Sequence, residues 1–163
     1  MKALTYRRGA ESAFTLVETM VAVGVAIAAI AGLSASAQQA LRIARAGKSV
    51  ASANEMIEER MESFRYAPIW SNVTTATGIA SVASVPTASA ASFPNVTETF
   101  SVQPFPTGSQ LVVTRNPNGS FTNNGVDLSA IKCVKFTVTA AWTESGNRPL
   151  STQFSTIIAK GGL

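Results

Sequence analysis

A chain of 163 residues has room for one small domain and an anchoring segment, and its 13% of charged residues is about half the share usual in soluble proteins, so apolar residues are concentrated somewhere. The lack of histidine and the single cysteine, Cys133, exclude Cys–His and Ser–His nucleophile pairs, His/Cys metal sites and a disulfide within these residues; no cofactor is expected. The formal net charge of +4 owes much to residues 1–13, which hold Lys2, Arg7, Arg8 and Glu11. Beyond them ten Lys and Arg oppose eight Asp and Glu, so no nucleic-acid partner is expected.

Thr19 to Leu41 is a run of 23 residues without a charge, which as a helix spans roughly 35 Å, enough for a bilayer core of about 30 Å. It is rich in alanine, with Gly24 and Gly32, and small residues suit close packing between helices in lipid. A basic stretch precedes it, as in a secretory signal peptide, but an ordinary signal is cut after its apolar region. Here the small residue Ala13 comes before that region, so a cut there leaves the anchor attached. Arg42, Arg45 and Lys48 beyond the run balance Lys2, Arg7 and Arg8 before it, so charge does not set the orientation.

The segment Ala13-Phe14-Thr15-Leu16-Val17-Glu18-Thr19-Met20-Val21-Ala22 closely resembles the prepilin-peptidase cleavage and methylation motif of type IV pilins and type II secretion pseudopilins. The resemblance covers residues 1 to about 66. It implies a cut between Ala13 and Phe14, N-methylation of the new Phe14 amine, and a single-pass precursor in the bacterial inner membrane with its C-terminal head outside the cytoplasm. The implied partners are prepilin peptidase, other pilin or pseudopilin subunits, the inner-membrane assembly platform and, before assembly, membrane lipid. Ala13 departs from the family's usual glycine; Gly9 is a poor alternative, because a cut there leaves Glu18 at the wrong distance. A carboxylate within an apolar run costs about 2.5 to 3.5 kcal/mol, so Glu18 needs a partner. The resemblance implies that it pairs with the Phe14 amine of a neighbouring subunit, so that assembly neutralises both charges.

Nothing breaks the helical pattern before Pro68, so one helix of roughly 80 Å is expected from Phe14 to about Tyr66. In its outer half Ile43, Val50, Ile57 and Phe64 recur every seven residues, an apolar stripe expected to pack under a small sheet, with Arg60 breaking a second apolar register. Charge is segregated: Arg42, Arg45 and Lys48 form a basic block, and Glu55, Glu58, Glu59 and Glu62 an acidic one, both turned away from that stripe. The block centres lie about 13 residues or roughly 20 Å apart, so these are candidate inter-subunit charges that would favour staggered parallel neighbours.

Residues 71–92, biased to Ser, Thr, Ala and Val, read as a long surface connection. Thr97–Val102 and Gln110–Thr114 read as strands, with a turn at Asn116-Pro117-Asn118-Gly119. A longer hairpin follows: Val134, Phe136, Val138, Ala140 and Trp142 alternate with polar or small residues, the chain turns near Gly146 and Asn147, and Leu150, Phe154 and Ile158 share one face of the return strand. Cys133 is expected to be a buried structural thiol.

The expected fold is α+β, a long N-terminal helix, membrane-spanning in its first half, packed on a small antiparallel sheet. Its parts are a leader (1–13), a transmembrane and assembly helix (14–41), the amphipathic continuation of that helix (42–66), a Ser/Thr/Ala-rich connection (67–96) and a sheet head (97–163). The chain's end is also similar, more weakly, to the tails of minor pilins and pseudopilins. The lone cysteine departs from pilins with a C-terminal disulfide, and no acidic cluster resembles the calcium site of major pseudopilins; both favour a minor subunit. The function this implies is a structural subunit of a pilus or pseudopilus, with a membrane-tethered adhesive or binding module of the same apparatus as the alternative. An enzyme is not expected: only scattered Glu98, Asp127 and Glu144 offer carboxylates outside the helix.

Overall fold

The computed structural model describes residues 15–67, 69–89, 95–144 and 147–161. Its first element, α1 (Leu16–Arg65), is a 50-residue α-helix, uninterrupted because no proline falls inside it. The chain forms two compact units, one up to Ala44 and one from Arg45 onward.

In the first unit every described residue is exposed, including Leu16, Val17, Val21, Val25, Ile30 and Leu33. By length and composition this stretch is able to span a bilayer, and among the described residues of the unit no protein surface covers it.

The second unit packs the end of α1 and two short helices on an antiparallel sheet. The strands are β1 (Thr97–Pro104), β2 (Leu111–Arg115), β3 (Phe121–Asn123), β4 (Cys133–Glu144) and β5 (Arg148–Ala159), in the order β3-β2-β1-β4-β5. Strict alternation puts Phe100 and Val102 of β1, Leu111 and Val113 of β2, and Val134, Phe136, Val138, Ala140 and Trp142 of β4 on one buried face. Turn chemistry agrees: Gly119 takes a φ of 82°, and its N–H donates to the Asn116 carbonyl at 2.9 Å.

The apolar stripe of α1 differs from the expected one. The buried positions are Ala53, Met56, Ile57, Arg60, Met61 and Phe64, while Ile43 is 64% and Val50 37% exposed. The buried stretch of α1 begins at Ala53, so Ile43 and Val50 lie before it, whereas Ile57 and Phe64 of the expected stripe are buried. Phe64 anchors the face that is used, its ring 5.3 Å from Phe100 and 4.7 Å from Phe136, centre to centre.

Residues 71–92 also differ from expectation, because α2 (Ser71–Thr74) and α3 (Ala76–Ala83) occupy part of them. Thr75 caps α3 by accepting from the Gly78 N–H at 3.1 Å, and Gly78 is required there: an added Cβ would lie 2.1 Å from the Ser71 carbonyl oxygen. Ile79 and Ala83 of α3 and Val73 of α2 join the core. The pair is tied down by the Leu128 N–H, which donates to the Thr74 carbonyl, and by Trp70 Nε1, which donates to the Ile131 carbonyl at 2.9 Å. Cys133 is only half-buried and out of phase with Val134, on the outward side of the sheet, so it is no core thiol.

Phe64→Ala would remove the ring shared by helix and sheet. A loss of about 3 to 5 kcal/mol is expected in denaturant unfolding of the full chain in detergent, against under 1.5 for Ile57→Leu.

Candidate functional site

The expected cleavage junction, Ala13 and Phe14, lies outside the described residues, and α1 begins just after it. Thr15 caps the helix: its Oγ1 accepts from the Glu18 N–H at 3.3 Å, and its carbonyl accepts the same N–H at 3.0 Å. Thr15-x-x-Glu18 has the spacing of a capping box, a signal that the sequence reading passed over. The Glu18 carboxylate is exposed, makes no ion pair among the described residues, and stands at the start of an uncharged run whose side chains are all exposed.

Further along α1, Arg42, Arg45 and Lys48 are exposed. The acidic block, expected to turn away from the core as a whole, does so only in part. Glu59 is half-buried and accepts from Ser89, from Oγ at 2.9 Å and from N–H at 3.3 Å, so it holds the far end of the helical connection to α1. Glu62 and Arg65 are 3.7 Å apart and half-exposed, a pair worth only about 0 to 1 kcal/mol. Glu55, Glu58, Glu62 and Arg65 wall a cleft of about 450 Å³ with Met61 and with Phe154 of β5, whose ring is 50% exposed. Among the described residues Glu55 and Glu58 have no ion-pair partner there.

The one buried charge network among the described residues was not foreseen. Arg60, expected only to interrupt an apolar register, is 1% exposed, and Glu98 on the neighbouring face of β1 is fully buried. Arg60 Nε donates to Glu98 Oε2 at 2.8 Å and Nη2 to Oε1 at 3.2 Å, a two-pronged pairing, while Nη1 donates to the Val85 carbonyl at 2.7 Å. Arg115 of β2, opposite Glu98 in the strand register, adds an Nη1 bond to Oε1 at 2.7 Å. Three elements therefore meet at one carboxylate, and Arg60 ties the segment after α3 to them. The signal was present in the sequence, since Glu98 is in phase with Phe100 and Val102, and Arg60 with Ile57 and Phe64.

That network engages both oxygens of Glu98. Asp127 is exposed in the loop before β4, where the backbone N–H of Ser129 and then its side chain hold the carboxyl below its ordinary range; it starts a turn. Glu144 closes β4 opposite Arg148. Comparison with known protein families, with curated proteins and with solved structures finds no match. The long N-terminal helix on an antiparallel sheet is compatible with a pilin-like fold.

Arg60→Met strands Glu98 in the core with one partner and should cost about 3 to 5 kcal/mol in denaturant unfolding, while Arg60→Met with Glu98→Gln should recover part of that loss. A double variant that is destabilised by the full sum of the single changes would show that the two residues act independently.

Proposed function

We propose that the chain is a minor structural subunit of a type IV pilus or pseudopilus, cut between Ala13 and Phe14, N-methylated at Phe14, and assembled through the first half of α1. The observation that carries this reading is the pairing of an exposed, uncharged, small-residue run with a single carboxylate, Glu18, at its start. A surface of that composition is not stable in water; it calls for lipid, other helices, or each in turn. One helical turn before Glu18 stands the residue whose amine a cut after Ala13 would free. Methylation leaves its positive charge in place, so every subunit would bring one cation and one anion to the apolar bundle.

On this reading the precursor is held in the bacterial inner membrane with its head outside the cytoplasm. Prepilin peptidase and the assembly platform are its processing and assembly partners, and other pilin or pseudopilin subunits its neighbours in the filament. The sheet head is packed on α1 only from Ala53 onward, so the helix segment needed for bundling carries no part of the head's core.

The capping box gives a rival role for Glu18, as a helix-start residue only, and one substitution separates the two. Glu18→Gln preserves the capping pattern but removes the charge. It should leave insertion and cleavage intact yet lower the amount of chain in sheared filaments by about tenfold or more, because a neighbour's buried ammonium would be left unpaired. Incorporation at the wild-type level would refute the pairing.

Cleavage is tested separately. Ala13→Lys should leave the chain unprocessed by intact-mass analysis, since the residue before the cut must be small. A mature chain still beginning at Phe14 would overturn that requirement, and a wild-type chain beginning elsewhere would overturn the motif itself.

A further inference from the structure

β5 is a sheet edge with little to guard it. Among the described residues it pairs over twelve residues with β4 alone, whereas the opposite edge, β3, has three residues. Edge strands are commonly blunted by charge, proline or brevity. Pro149 blunts the start of β5, but Leu150 to Ala159 contains neither a charge nor a proline.

The ladder shows which groups are open. The Lys160 N–H donates to the Lys132 carbonyl, so in this antiparallel pair the even-numbered residues of β5 bond to β4. The N–H and C=O groups of Ser151, Gln153, Ser155 and Ile157 therefore point away from the sheet. On the face reached from α1, this edge borders the acidic cleft, where Phe154 meets Glu55, Glu58 and Glu62, with Arg65 at one end. Thr152 Oγ1, donating to Asn54 Oδ1 at 2.8 Å, holds α1 beside the same strand.

We propose that the free edge of β5 takes up an extended strand of another polypeptide, one with basic side chains at alternate positions that lie over the cleft beside Phe154. Backbone bonding supplies the attachment, and the unpaired carboxylates of Glu55 and Glu58 supply the preference for charge. Two other occupants fit less well. The basic block of a second copy, Arg42, Arg45 and Lys48, is helical, so its backbone groups are already bonded and leave the edge unsatisfied. Two β5 edges paired with each other would bring two acidic clefts together. The inference depends on the sheet edge and the acidic cleft beside it and stands apart from the filament reading.

The test uses the full chain in detergent micelles and a synthetic peptide alternating lysine and valine, with its glutamate–valine counterpart as control. Amide hydrogen exchange should slow about tenfold or more at Ser151, Gln153, Ser155 and Ile157 when the lysine peptide is added, and not with the glutamate peptide. Gln153→Pro deletes one outward N–H and leaves the β4 ladder intact, so it should weaken binding about three- to tenfold. Glu55→Gln with Glu58→Gln, both at exposed positions that folding does not depend on, should weaken it about threefold and reduce its salt dependence. The proposal is overturned if the edge amides gain no protection, if both peptides bind alike, or if the glutamine variants bind as wild type does. Protection that rises with protein concentration in the absence of peptide would assign the edge to a second copy instead.

Discussion

The rest of the second unit depends on the fork between Arg60 and Glu98. Two opposite charges held in a core cost solvation that their attraction only partly returns, so such a pair is a weak source of net stability. Its value is positional. The α1 face carries Ala53, Met56, Ile57 and Met61, flexible or small side chains that would fit a sheet in more than one register. Sliding α1 by one turn would separate the guanidinium from its carboxylate and leave both buried and unpaired. The fork thereby selects the placement in which Phe64, one turn later, meets Phe100 and Phe136. The third nitrogen of Arg60 reaches the Val85 carbonyl, so the same side chain also fixes where the chain leaves α3 on its way to β1.

A helix fixed in this way carries two kinds of surface on one backbone. From Ala53 it buries a stripe under side chains of its own unit, while up to Ala44 its described residues are all exposed. The composition changes to match: the first part is alanine-rich and uncharged from Thr19 to Leu41, and the later part, Arg60 apart, carries its charges on faces that the sheet leaves open or only half covers. In lipid there is no hydrophobic drive to bring helices together, so close backbone approach at small residues and the pairing of rare charges must do it. Alanine and glycine in the first part, with one acidic residue, fit that physics better than a leucine-rich anchor would.

Much of this was legible in the sequence because it rests on local periodicity. The long helix, the alternation in β1, β2 and β4, and the Asn116–Gly119 turn follow from patterns a few residues long. The misses share a different cause. The helices α2 and α3 are too short for propensity to declare them; they are held by Trp70 on Ile131, by Thr74 accepting from Leu128, and by the space that Gly78 leaves open, all contacts across the fold. Read singly, Arg60 was a break in an apolar register and Glu98 one of three scattered carboxylates. Taken together, two opposite charges each in phase with a core face were a readable sign of a buried pair. That β5 is an edge was not readable at all, because it follows from β4 pairing with β1 and not with β3. At the N-terminus the Thr15–Glu18 spacing was readable and was overshadowed by the cleavage motif beside it.

The cap and the motif are physically compatible, and their overlap explains why a carboxylate is suited to this position. Each helix N-terminus carries roughly half a positive charge from its unpaired N–H groups. A carboxylate in the first turn offsets it, so Glu18 favours the start of α1 at Thr15 whether or not the chain has been processed. On the filament reading, a cut after Ala13 adds an ammonium at this same end, where the helix dipole repels it. Glu18 of the same chain, four residues on, is then asked to balance both the dipole and the new charge, and one carboxylate does so only in part. A neighbour's Glu18 brought to the same level supplies the missing anion, while the exposed apolar run beyond it excludes the water that would otherwise screen the pair. The favourable term is thus small for an isolated subunit in the headgroup region and larger in a bundle, the sense required for a charge pair that drives assembly.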